Sequence, residues 1–203
     1  ILIVGVVEME NNKGKKIIND EKRYILGLYK RPNFVFERGE GVYLYDTSGK
    51  KYLDFVAGIA VNMLGYGDPE ILKAINEQAA KLIHCSNLYH FIPAVELAQL
   101  LVKNSFADKV FFCNSGTEAV EGAIKFARKW GREVFKKPKY EIIATYHSFH
   151  GRTLGSLSAT GKKKIQEAFK PLVPGFKFAE FNNLKSMENA ITEKTCAIIV
   201  EPV

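Results

Sequence analysis

The apolar positions of this chain change period several times, and each change marks a boundary between predicted elements. Asn19 or Asp20 is placed to cap a short helix over 21–30, which Pro32 ends. Residues 34–37, 42–46 and 51–55 read as three short strands. Gly39-Glu40-Gly41 and Thr47-Ser48-Gly49 are the turns between them, so an antiparallel meander is expected. Asp68-Pro69 opens a longer helix, with an N-cap followed by proline at the first helical position. Ile71, Leu72, Ile75, Ala79, Leu82 and Ile83 follow at helical spacing. Pro93 starts another helix, with Val95, Leu97, Ala98, Leu101 and Val102 as its apolar set.

Beyond that point the pattern predicts strand 109–113, helix 117–132, strand 140–146, helix 161–169, helix 183–191 and strand 196–200. Strands alternating with helices predict an α/β fold, a mostly parallel sheet with helices on both faces. The expected division is an N-terminal segment with a small antiparallel β/α subdomain over 1–66, then the α/β domain over 67–203. Ligands of such sheets bind beyond the C-terminal strand ends. Three polar clusters fall there: the turn Asn114-Ser115-Gly116-Thr117-Glu118-Ala119, the loop Ser148-Phe149-His150-Gly151-Arg152-Thr153, and Glu201.

The Asn114 turn leads from the apolar run Val110-Phe111-Phe112-Cys113 into an amphipathic helix. Unpaired N–H groups and the helix dipole suit such a turn to a phosphate. It also reads as an ordinary N-cap, with Ser115 or Thr117 capping and Glu118 favoured by the dipole. The Phe149 loop joins an aromatic face, an imidazole and a guanidinium. Arginine pairs with a carboxylate through two parallel hydrogen bonds, and a phenylalanine face stacks on a heteroaromatic ring. Together these groups suit a phosphorylated aromatic cofactor and an amino-acid substrate. Taken alone, Arg152 reads as a solvated or structural charge.

Composition adds limits. The chain has 203 residues, 47% hydrophobic and 25% charged, which is ordinary for a globular protein. No stretch approaches the ~20 apolar residues of a membrane span. Residues 1–7 are apolar but lack the basic leader and cleavage site of a signal peptide, and Met9 is the expected natural start. Cys85, Cys113 and Cys196 are widely spaced and odd in number, which predicts a reducing, cytoplasmic setting and no disulfide framework. His84, His90, His147 and His150 lack metal-ligand spacing, so no metal is expected. The net charge of +7 reads as solvated helix faces, since no nucleic-acid-binding module accompanies it.

The residues resemble a class III, pyridoxal-phosphate (PLP)-dependent aminotransferase, and within that class the acetylornithine branch. The matching stretches are Gly41-Val42-Tyr43-Leu44-Tyr45-Asp46, Tyr52-Leu53-Asp54-Phe55, Gly58-Ile59-Ala60-Val61-Asn62, Ser86-Asn87-Leu88-Tyr89, the Asn114 turn, the Phe149 loop and Ile199-Val200-Glu201-Pro202. They keep the family order across residues 34–203. The loop followed by Leu154-Gly155-Ser156-Leu157 points to the acetylornithine branch. Gly65-Tyr66-Gly67-Asp68-Pro69 departs from the family, with Tyr and Asp where relatives often carry histidines.

The resemblance implies a PLP-dependent fold type I architecture, here incomplete. It implies that Ser115 and the amides of Gly116 and Thr117 hold the cofactor phosphate. Phe149 would stack on the pyridine ring, with His150 near it. Arg152 would grip the substrate α-carboxylate, and Asn62 and Tyr89 would approach the substrate, although each also reads as a packed or turn residue. Glu201 reads as a strand-end carboxylate in a local hydrogen-bond network. The family's Schiff-base lysine and the aspartate facing the pyridine nitrogen lie downstream of Val203, so no catalytic residue is expected in this chain. The implied reaction moves the δ-amino group of N-acetylornithine to 2-oxoglutarate in a cytoplasmic homodimer. Ornithine, 4-aminobutyrate or succinylornithine as donor, or a non-catalytic fragment, are the alternatives.

Overall fold

The computed structural model describes residues 2–202, with side chains from Lys13 onward, so the apolar run 1–7 and the expected start at Met9 lie outside the described side chains. The chain divides into two compact units, Ile1–Phe91 and Ile92–Val203, a division downstream of the boundary expected after Tyr66.

The first unit begins with α1 (Leu2–Tyr24). The helix expected over 21–30 therefore lies upstream of its predicted place. Leu26 and Leu28 are 77% and 72% exposed, so nothing rewards continuing the helix past Tyr24. Lys22 and Arg23 in its last turn face the negative end of the helix dipole. The expected meander follows as β1 (Phe36–Glu40), β2 (Tyr43–Asp46) and β3 (Lys51–Leu53), both pairings antiparallel. Phe34, Phe36 and Tyr52 pack their rings 5.1–5.4 Å apart on it.

Asp46 is 7% exposed and organises the β2–β3 turn. Its carboxylate accepts from the Ser48 hydroxyl at 2.6 Å, the Ser48 and Lys50 amides, and the Tyr52 hydroxyl at 2.8 Å. The Ser48 hydroxyl leads these contacts in lowering its pKa to about 2 against the opposing effect of burial. The short element α2 (Ala57–Ala60) is left-handed, with φ of 48°, 64°, 61° and 62° at successive residues. α3 (Pro69–Lys81) starts as its sequence predicts, the Asp68 carboxylate accepting from the Glu70 and Ile71 amides at 3.0 Å.

In the second unit, α4 (Ile92–Lys103) and α5 (Gly116–Phe135) precede a three-stranded parallel sheet. Its strands are β4 (Glu141–Thr145), β5 (Phe176–Ala179) and β6 (Thr195–Ile198), in the order β5-β4-β6. All five residues of β4 are buried, as a central strand covered on both faces requires. α6 (Leu154–Ala159) and α7 (Lys163–Gln166) connect β4 to β5, and α8 (Leu184–Ala190) connects β5 to β6. The β4–β5 and β5–β6 connections run in opposite directions across the sheet, so right-handed connections carry their helices to opposite faces. Gly131 of α5 lets that helix approach the sheet, because a Cβ there would sit 2.7 Å from the Lys139 carbonyl oxygen and 2.8 Å from Cys196 Cβ.

Two expected elements differ in the structure. Residues 109–113 form no regular element and pair with no strand among the described residues, and a strand exists only through its partner's hydrogen bonds. The single helix over 161–169 is instead α7 followed by a 3-10 turn, Glu167–Phe169. α6 arises just before it from a Gly- and Ser-rich stretch. The buried Gln166 amide there donates to the carbonyls of Leu157 and Thr160 at 3.0 and 2.8 Å, closing the C-terminal end of α6.

Candidate cofactor site

The Asn114 turn becomes the N-terminus of α5, with Ser115 as N-cap. The Ser115 hydroxyl accepts from the Glu118 amide at 3.3 Å, and the Glu118 carboxylate reaches back to the Asn114 amide at 2.6 Å. This is a capping box displaced by one residue. It satisfies the amides of Asn114 and Glu118 and leaves those of Gly116 and Thr117 without partners among the described residues. A Cβ at Gly116 would meet nothing within 4 Å. The capping and phosphate readings are therefore compatible: one cap leaves two successive N–H groups unpartnered among the described residues, at an exposed turn.

The Phe149 loop is fastened to that turn. Gly151, at φ 129°, lies so close that a Cβ there would be 2.3 Å from Thr117 Oγ1. Thr117 Oγ1 lies 3.1 Å from Thr153 Oγ1 and 2.7 Å from Ser156 Oγ. On the other side of the loop, the Phe149 amide donates to Glu201 at 2.9 Å. The reading of Glu201 as a local hydrogen-bonding carboxylate holds. A cleft of about 320 Å³ opens here, lined by Thr145, His147, Ser148, Glu180, Phe181 and Glu201 among others. It lies beyond the C-terminal ends of β4, β5 and β6, where the connections leaving the neighbouring strands β4 and β5 head in opposite directions.

The ring of Phe149 is 44% exposed, which leaves a face for stacking. His150 is 7% exposed, and its amide donates to Thr160 Oγ1 at 3.0 Å. Burial pushes the imidazole pKa down, and the Glu201 charge opposes that in part. Its Nε2 is buried with no hydrogen-bond partner among the described residues, an unsatisfied group that a polar ligand atom or water can complete. Arg152 is exposed at the turn into α6.

The structure thus brings Ser115, Gly116, Thr117, Phe149, His150 and Arg152 onto one end of the second unit. Asn62 and Tyr89 belong to the first unit. Asn62 is half-buried in a turn, where its carbonyl accepts from the Gly65 amide at 3.0 Å. Its side chain bonds Tyr66, whose hydroxyl donates to Asp54 at 2.6 Å. Tyr89 is 70% exposed. The sequence reading missed Glu121, Thr153 and Ser156, which join the helix to the loop. Their signal was present as two four-residue spacings, Thr117/Glu121 on the helix and Gly151/Gly155 opposite.

The sequence model of the family described as "Aminotransferase class-III" matches residues 28–203. This chain belongs to the class-III aminotransferases. It is 52% identical over 186 residues to the acetylornithine aminotransferase of Methanocaldococcus jannaschii, which covers 92% of this chain and 47% of that protein. Against the mitochondrial acetylornithine aminotransferase of Debaryomyces hansenii, identity is 50% over 202 residues, covering 96% of this chain and 43% of the relative. The chain therefore spans about half the length of the curated relatives it matches. In structure it resembles the ornithine aminotransferase of Toxoplasma gondii, with TM-score 0.88, 26% identity, and coverage of 94% of this chain and 46% of that one. A second structure of that enzyme has PLP at partial occupancy in its active site. The N-acetylornithine aminotransferase of Stenotrophomonas maltophilia matches with TM-score 0.72 and 35% identity, covering 92% and 44% of the two chains.

Among the class-III features, the departure at Gly65-Tyr66-Gly67-Asp68-Pro69 leaves the helix start intact. Tyr66 closes a two-bond bridge with Gly41, at 2.8 and 2.9 Å, and Asp68 caps α3. Both residues have structural work within the first unit. Among the described residues no helix is long and apolar enough to cross a membrane.

Proposed function

We propose that this chain supplies the phosphate and ring contacts of a PLP-dependent aminotransferase that moves the δ-amino group of N-acetylornithine to 2-oxoglutarate. The observation that carries the site assignment is the pair of amides at Gly116 and Thr117, unpartnered among the described residues, beside the loop that bears Phe149, His150 and Arg152. The donor rests on the identity to acetylornithine aminotransferases, 52% and 50% in the two described above. When bound, the cofactor supplies an electron sink that eases proton removal at the carbon bearing the amino group.

In this reading the Gly116 and Thr117 N–H groups, aided by the α5 dipole and the Ser115 hydroxyl, bind the dianionic phosphate. Phe149 covers one ring face and excludes water. His150, kept neutral by burial, lies close by without adding a positive charge. Arg152 holds the α-carboxylate that donor and product glutamate share, while Asn62 and Tyr89 contribute to the substrate side. The protein acts as a cytoplasmic homodimer. Support comes from the three free cysteines and from the apolar residues that α3 and α4 leave exposed, Ile75 at 58% and Leu100 at 60% among them.

A second reading, ornithine as donor, is favoured by the higher structural match to the Toxoplasma enzyme. The test is the full-length protein assayed with 2-oxoglutarate and each of N-acetylornithine, ornithine, succinylornithine and 4-aminobutyrate. N-acetylornithine should give the highest kcat/KM. A preference for ornithine would replace the donor, and no transamination with any of the four would remove the enzymatic reading.

A further inference from the structure

Glu121 sits one helical turn after Thr117 on the same face of α5. It is half-buried and forms no ion pair among the described residues. Its Oε1 accepts from the Thr153 hydroxyl at 2.5 Å and from the Ser156 amide at 3.2 Å. Gly155 makes the space, since a Cβ there would be 2.4 Å from Glu121 Oε2. A carboxylate held this way fixes the loop against the helix at a second point, one turn beyond the Thr117 contact.

Hydroxyl protons extend the argument. Thr117, Thr153 and Ser156 lie within 2.7–3.1 Å of one another. Three hydroxyls in a triangle can donate in a closed ring, which would consume every proton and turn Thr117 inward. An ionised carboxylate only accepts, so Glu121 draws the Thr153 proton out of the triangle. Ser156 can then donate to Thr117, and the Thr117 proton is free to turn toward an anion at the helix N-terminus.

We propose that Glu121 is a positioning residue for the phosphate turn: through Thr153 and Ser156 it sets the orientation of Thr117 and holds the Arg152 loop against α5. The inference rests on the cofactor reading above, and it concerns the phosphate half of that ligand. The test uses the full-length protein and its Glu121→Ala, Glu121→Gln and Thr153→Val variants. Each is titrated with PLP and with pyridoxal, which lacks the phosphate, and followed by protein fluorescence.

Glu121→Ala should weaken PLP about tenfold or more and leave pyridoxal unchanged, the loss expected of one charge-assisted hydrogen bond. Glu121→Gln keeps an acceptor oxygen and should stay within about threefold of wild type. Thr153→Val preserves shape, removes the linking hydroxyl and should reproduce the phosphate-specific loss. Unchanged PLP affinity in Glu121→Ala and Thr153→Val would overturn the inference. So would equal losses for PLP and pyridoxal, which mark general damage. A wild-type protein that binds PLP no more tightly than pyridoxal would instead overturn the cofactor reading, and this inference with it.

Discussion

The amide of Phe149 donates to the Glu201 carboxylate at 2.9 Å, across 52 residues of sequence. One hydrogen bond thus joins the loop after β4 to the segment after β6, at the edge of the sheet where the cleft opens. The same carboxylate supports positive charge on His150, whose pKa burial lowers below the ordinary 6.5. Glu201→Gln keeps an acceptor and removes the charge. The His150 pKa should then fall further, measured from imidazole NMR shifts against pH. An unchanged value would mean that Glu201 does not act on His150.

His150 also sets a stability window. Its folded pKa is depressed, so above about 6.5 both folded and unfolded forms are neutral and stability is complete. As pH falls below 6.5 the unfolded chain takes up the proton first, and stability declines until the folded imidazole titrates. Urea midpoints between pH 8 and 5 should fall in wild type and fall less in His150→Gln.

Asp46 provides a second window, at lower pH. Its folded pKa of about 2 lies below the ordinary 3.8, chiefly through the Ser48 hydroxyl. Its contribution is present above 3.8 and is lost as pH falls through about 2. Asp46→Asn cannot accept all four hydrogen bonds and should lower the thermal midpoint at neutral pH. The difference from wild type should shrink toward pH 2. A difference independent of pH would assign the effect to shape rather than charge.

Gly116→Ala separates folding from ligand binding. A Cβ at Gly116 meets no protein atom within 4 Å, and alanine is at least as good a helix residue. The thermal midpoint should stay level or rise slightly. A methyl group beside the two free amides should obstruct a phosphate and weaken PLP about tenfold, or ~1.4 kcal/mol. Unimpaired PLP binding would place the phosphate elsewhere.

Arg152→Lys tests the carboxylate contact in the full-length protein. Lysine is a point charge and cannot reproduce the planar fork. The affinity for N-acetylornithine and glutamate should fall together, by about 1.5–3 kcal/mol, with cofactor absorbance nearly unchanged. Steady-state kinetics equal to wild type for both substrates would make Arg152 structural.

The sequence by itself determined the parts whose signals are local. Turn residues around short apolar runs fixed the meander, and Asp68-Pro69 fixed the start of α3. The strand-to-helix turn at Asn114 gave the candidate phosphate site, and the resemblance gave the class, because that chemistry needs particular residues in order along the chain. Tertiary structure decided the rest. Residues 109–113 have strand composition but no partner among the described residues, whereas Phe176–Ala179 becomes a strand because β4 lies beside it. Leu154–Ala159 is helical although its Gly and Ser favour other conformations, since its small residues pack into the core and Gln166 closes its end. In sequence, Glu121 is one charged residue among several on an amphipathic helix. Only the approach of Gly155 and Thr153 turned it inward: the four-residue spacing on each side is visible in sequence, but which residues meet across more than thirty positions is not.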